Sequence, residues 1–84
     1  MVIIYTFHEC PFCKELKEKL TAEGIEYNDI NVNLAENAEE YGKVVVASNS
    51  NEVPVVKIGK QLFIPNVSFH SIDEAVELTK KFLA

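Results

Sequence analysis

Eighty-four residues are enough for one compact domain with a single core and too few for a second domain with its own. Eight lysines, no arginine and thirteen acidic residues give a net charge of −5 without a basic stripe, which argues against a nucleic-acid partner. Uninterrupted apolar runs are only a few residues long, far short of the roughly 20 that cross a bilayer, so no membrane partner is expected. Met1 to Phe7 shows neither a basic n-region nor a small-residue cleavage site. The expectation is a cytoplasmic protein forming one domain over residues 1–84.

Val2 to Phe7 is apolar and β-branched and reads as a buried strand. From Pro11 to Glu23 the apolar positions Cys13, Leu16 and Leu20 fall three or four apart, with Lys17 among them and charged residues elsewhere. That spacing predicts an amphipathic helix, and Gly24 suits the left-handed position just past its end. Ile25 to Val32 gives a second strand, so the first three elements form a βαβ unit with parallel strands and a right-handed crossover.

Leu34 to Val46 supports a second helix, although Val44-Val45-Val46 also carries strand propensity. Ser48 to Asn51 is polar turn sequence. Val53 to Ile58 and Gln61 to Ile64, joined at Gly59-Lys60, read as a β-hairpin. Ser71 begins a last helix, with Glu74 three residues on as the partner of a capping box. Its apolar face is Ile72, Ala75, Val76, Leu78, Thr79 and Phe82. The order is βαβαββα.

Chemistry concentrates at Cys10-Pro11-Phe12-Cys13. Proline is tolerated at the first position of a helix, where its missing N–H would have been unpaired, and this makes Cys10 the N-cap. An N-cap side chain faces the free N–H groups two and three residues on, here those of Phe12 and Cys13, over the positive end of the helix dipole. Both features favour thiolate over thiol, so Cys10 is the expected nucleophile. Cys13 lies one turn later and points back toward the N-terminus, where its α-carbon can come within the roughly 4.4–6.8 Å of its partner's that a disulfide requires. It is expected to be less exposed, to hold its proton, and to resolve a mixed disulfide at Cys10.

Other readings stay beside this one. A structural staple normally closes a longer loop. The same pair is half of a zinc site, but a structural zinc takes four ligands and the remaining soft candidates are His8 and His70. A module holding zinc, copper or a shared iron–sulfur cluster would need ligands from a second copy or from glutathione. No metal ligand is assigned. His8 reads as an ordinary loop residue and Glu9 as a solvated side chain pointing away from Cys10.

Cys-Pro-Phe-Cys after the first strand, Val53-Pro54 before the third, and βαβαββα order in fewer than 90 residues together resemble the glutaredoxins. The resemblance implies a thioredoxin-like α/β fold with helices on both faces of a four-stranded mixed sheet. It also implies strand order 2-1-3-4, with the last two strands antiparallel to the first two. It implies a cis bond before Pro54, where the alternative is a trans proline opening an edge strand. The residue at Val53 would offer its backbone to an extended substrate, and Pro11, Phe12 and the segment Asn66, Val67 and Ser68 would complete substrate binding; Phe12 could equally cap the core.

The implied activity is reduction of protein disulfides or glutathione mixed disulfides by a monomer with no bound cofactor and glutathione as co-substrate. Two departures stand out. The family's lysine shortly before the first cysteine is replaced by Thr6-Phe7-His8-Glu9, and its Gly-Gly-x-Asp-Asp-like segment by Pro65-Asn66-Val67-Ser68-Phe69. Val67-Ser68-Phe69 is faintly similar to a segment of the glutaredoxin-like hydrogen donors of ribonucleotide reductase, which take electrons from thioredoxin reductase. That enzyme is the alternative electron donor. Lys14, Lys43 and Lys57 are the unassigned candidates for pairing with glutathione's carboxylates.

Overall fold

A computed structural model describes all of residues 1–84. The strands are β1 (Val2–Thr6), β2 (Tyr27–Asn31), β3 (Val55–Ile58) and β4 (Gln61–Phe63). The helices are α1 (Pro11–Ala22), α2 (Ala38–Ser48) and α3 (Ile72–Leu83), and the order is βαβαββα as expected. They form one mixed sheet in the order β2-β1-β3-β4. β1 and β2 are parallel, with Ile4 opposite Asp29, and β3 is antiparallel to β1, with Ile4 opposite Val56. One expectation is corrected: β4 is antiparallel to β3 and therefore points the same way as β1 and β2. A tight hairpin requires that reversal.

Alternation along β1 sends its side chains to two unequal layers. Val2 and Ile4 join Leu16 and Leu20 of α1 and Ile72, Ala75 and Val76 of α3 in the main core. On the opposite face Tyr5 and Val55 meet Val44 of α2 in a small cluster. Helices thus cover both faces, but the α1/α3 side holds most of the buried apolar surface. No helix is long and apolar enough to cross a membrane.

Several boundaries move inward for local reasons. α1 ends at Ala22 because Gly24, at φ +73°, reverses the chain. The Gly24 amide donates to the Thr21 carbonyl and the Ile25 amide to that of Leu20, which is a Schellman ending. Ile25 is consumed in that motif, so β2 starts at Tyr27. The second helix is displaced: a 3-10 turn occupies Ala35–Asn37, and α2 runs on to Ser48, where left-handed Asn49 stops it. Val44, Val45 and Val46 are helical despite their strand propensity, with Val44 alone of the three buried.

β3 starts at Val55, since Pro54 has no N–H for a ladder. β4 stops at Phe63 because the Ile64 amide turns to the Ser68 Oγ. At α3 the capping box is only half as expected. Ser71 Oγ accepts the Glu74 amide at 3.1 Å, but the Glu74 carboxylate accepts the His70 amide, at 2.7 Å, rather than that of Ser71. Of the expected apolar face, Phe82 is half exposed and packs edge-on against Phe63.

Candidate active site

Strand β1 delivers the chain to the turn that carries the dithiol. After Thr6 the Cys10 amide donates to the Phe7 carbonyl, closing a tight turn, and Pro11 opens α1. Cys10 has extended backbone (φ −97°, ψ 111°) and is the N-cap. Its Sγ accepts the Cys13 amide N–H at 3.2 Å. Of the two amides that the sequence places within reach, that of Cys13 alone donates to the sulfur. A helix-terminal N–H directed at sulfur lowers the energy of negative charge there.

The two cysteines, both free thiols, differ in surroundings. Cys10 is partly exposed, whereas Cys13 is 1% exposed against the main core. Burial, followed by hydrogen bonding with Cys10, pushes the Cys13 thiol up to about 12. Cys13 therefore holds its proton at neutral pH. His8 and Glu9 are exposed, with His8 Nε2 3.6 Å from Glu9 Oε1, and the His8 ring stands edge-on to Phe7. Neither makes a hydrogen bond to the dithiol.

A cleft of about 490 Å³ is lined by Phe12, which follows Cys10 and Pro11 in the active-site turn, and by Val53, Pro54 and Asn66. The Val53–Pro54 bond is cis. Phe12 is 60% exposed, so it faces solvent and the cleft mouth rather than capping the core. Asn66 has left-handed backbone, and its Nδ2 donates to Glu52 Oε2, also in the lining, at 3.2 Å. The structure thus brings Phe12, Val53, Pro54 and Asn66 together in one cleft, which neither cysteine lines and which Phe12 joins to the Cys-Pro-Phe-Cys turn. Pro11, Val67 and Ser68 do not line this cleft: Val67 is 70% exposed, and Ser68 Oγ serves the turn after β4.

Sequence reasoning missed much of the remaining lining. Glu15, Glu52, His70, Ser71 and Asp73 line the cleft, bringing carboxylates from α1, the loop before Val53 and the start of α3 to one place. The position of Glu52 immediately before Val53 was a signal for one of them; the other two come from elements whose packing is not local. Lys14, Lys43 and Lys57 are absent from the lining. No group of three or more His, Cys, Asp or Glu side chains is gathered in a metal-binding arrangement.

Comparison with known proteins agrees with this geometry. Residues 2–63 match the family model described as Glutaredoxin. A glutaredoxin-like 8.6 kDa protein in the rubredoxin operon of Clostridium pasteurianum is 31% identical over 77 residues, covering 92% of this chain and 99% of the relative. A glutaredoxin of Archaeoglobus fulgidus superposes with a TM-score of 0.70 at 27% identity, covering 98% of this chain and 84% of that one. The glutaredoxin-like NrdH-redoxin of Escherichia coli superposes with a TM-score of 0.58 at 26% identity, covering 73% and 76%. With its sheet order, its cysteine pair at the head of α1 and these likenesses, the chain belongs to the glutaredoxin family and is a thiol-disulfide oxidoreductase of that type.

Proposed function

We propose that the chain reduces disulfides of proteins, and mixed disulfides of glutathione, by dithiol exchange in which Cys10 attacks and Cys13 resolves. The observation that carries this reading is the asymmetry of the pair: Cys10 is partly exposed with an amide donated to its sulfur, while Cys13 is buried and protonated. The Cys10 thiolate attacks a substrate disulfide, expelling one half as a thiol and leaving a mixed disulfide. Cys13 then displaces the other half, and an electron donor reduces the Cys10–Cys13 disulfide.

The extended substrate lies along Phe12, Val53 and Pro54, using the Val53 backbone, and Asn66 of the same cleft supports it. Pro11, Val67 and Ser68 flank this groove as outer contacts. The protein acts as a cytoplasmic monomer, one domain over residues 1–84, with no bound cofactor.

Glutathione is the proposed electron donor. A second reading, thioredoxin reductase, is favoured by the lining of the cleft, where Glu15, Glu52 and Asp73 stand and no lysine does. Glutathione carries two carboxylates, so long-range attraction to such a groove is poor. The NrdH-redoxin of Escherichia coli, described as having a thioredoxin-like activity profile, supports the same alternative.

Turnover of one disulfide substrate, with either glutathione plus glutathione reductase or thioredoxin reductase as electron source, decides between them. The expected result is activity with glutathione at a high Michaelis constant and with mild salt dependence. No activity with glutathione, alongside rapid reduction by thioredoxin reductase, would replace the donor while leaving the dithiol chemistry intact.

A further inference from the structure

The resolving step poses an electrostatic problem that the dithiol does not solve alone. Cys13 is buried, and the amide that helps its partner is its own N–H, directed at Cys10 Sγ. Yet to attack a mixed disulfide its sulfur must become a thiolate.

One turn further along α1, on the same helix face, stands Lys17. Its ammonium does not drift free in solvent. Lys17 Nζ is 3.0 Å from Asp29 Oδ2 on β2, and the other carboxylate oxygen of Asp29 accepts a hydrogen bond from Thr6 Oγ1. Thr6 is itself buried, at the end of β1 where the chain leaves for the active-site turn. Three elements thus fix a partly exposed cation on the helix that bears Cys13, one turn beyond it. The Asp29 carboxylate raises the Lys17 pKa, so the cation persists across the neutral range.

We infer that Lys17, held by Asp29 and Thr6, is a positioning residue for the second half of the reaction, stabilising the Cys13 thiolate while it attacks the mixed disulfide at Cys10. This rests on the dithiol reading given above and adds to it a residue outside the Cys-Pro-Phe-Cys segment. In the step, the Cys13 S–H bond breaks and a Cys13–Cys10 S–S bond forms. The bond between Cys10 and the substrate sulfur breaks, and its electron pair leaves with that sulfur. The proton lost by Cys13 ends on the departing thiolate, so a thiol leaves, the dithiol has been oxidised by two electrons and the substrate reduced by two.

The groups acting on Cys13 are few. Burial and Cys10 raise its pKa, while a hydrogen bond with the Phe7 backbone and, more weakly, the Lys17 charge lower it; Asp29 and the Tyr27 phenol, both on β2, act on Lys17. Once Cys10 is in a mixed disulfide it carries no charge. Lys17 is then the charged group left acting on Cys13.

An aromatic disulfide whose two halves are coloured thiols separates the steps. In stopped flow, attack by Cys10 releases the first equivalent and attack by Cys13 the second. Lys17→Met is expected to slow the second phase about tenfold near neutral pH, the equivalent of one unit of lost stabilisation, and to move its pH dependence upward. The first phase should stay within about twofold, because the Cys10–Cys13 amide contact is untouched.

Lys17→Arg, which keeps the charge, should restore the second phase, and Asp29→Asn should slow it by a smaller factor. Lys17→Gln, polar but uncharged, measures the same loss if the methionine variant fails to fold. An unchanged second phase and pH profile in a folded uncharged variant would overturn the role of Lys17. Failure of the wild-type protein to release a second equivalent at all would instead overturn the dithiol reading beneath it.

Discussion

Cys10 and Cys13 stand three positions apart in unlike surroundings. The Cys10 sulfur is partly exposed and accepts an amide hydrogen bond, while burial keeps Cys13 neutral. Brief alkylation of the reduced protein with iodoacetamide near neutral pH should therefore label Cys10, with Cys13 modified far more slowly. Peptide mass spectrometry reads the site directly, and label mainly on Cys13 would reverse the proposed roles. Cys10→Ser should abolish turnover. Cys13→Ser should accumulate mixed disulfides with protein substrates, visible as adducts on non-reducing gels.

The raised Cys13 pKa also has a consequence for stability. Ionisation is harder in the folded state than in the unfolded chain, so the unfolded chain releases its proton first as pH rises. The penalty is absent below the ordinary thiol value near 9 and grows as pH climbs from there toward about 12. Urea midpoints of the wild-type protein should fall across that window more steeply than those of Cys13→Ser. Comparison with the variant is needed because Tyr5, buried and hydrogen-bonded to Glu40, also has a raised pKa and contributes its own alkaline loss.

Placement of the dithiol at the head of a helix was legible because proline, cap and apolar spacing all act within a few residues. The Thr6–Asp29–Lys17 contacts were not. They depend on β1 and β2 lying side by side, a pairing between residues far apart in the chain. The acidic wall of the cleft was hidden for the same reason.

At the scale of elements, identities were more legible than ends. Each α-helix and strand was anticipated, since helical periodicity over ten or more residues, and short β-branched runs bounded by turn residues, outweigh single-residue ambiguity. The ends shifted where one backbone group found a competing partner: Ile25 in the Schellman ending, Ile64 on Ser68, Asn49 in the left-handed region. The valines of α2 were the ambiguous case, and the helix prevails with Val44 against Tyr5 and Val55.

The cap of α3 gives a prediction at this scale. Ser71 Oγ is the acceptor for the Glu74 amide, and Ser71→Ala removes it. A loss of about 1 kcal/mol is expected, read as a lower urea midpoint with an unchanged slope. Because Ser71 also lines the cleft, the same variant tests whether the start of α3 contributes to substrate binding through the Michaelis constant.

For the molecule as a whole, the unequal layers on the two sides of the sheet matter most. The cluster beneath α1 and α3 contains 11 buried residues and that beneath α2 contains 3, so the two faces contribute very differently to stability. Leu16→Ala, in the larger cluster at a fully buried position, should cost about 2–5 kcal/mol in denaturant unfolding. Val44→Ala in the smaller one should cost less. Native-state hydrogen exchange should show the amides of α2 opening at lower free energy than those of α1 and α3. Uniform protection across the three helices would contradict this.

The sheet also has two open borders, and Asp29 bears on one of them. β4, at one border, is only three residues long and offers little for a foreign strand to pair with. β2, at the other, is five residues long and parallel to its only neighbour, which would make it the natural place for another chain to add. Asn28 and Asp29 interrupt its apolar character, and Asp29 is tied down by Lys17 and Thr6. A strand added there would have to bring its side chains alongside a carboxylate–ammonium pair. The Asp29–Lys17 pair therefore makes this border a poor template for a foreign strand.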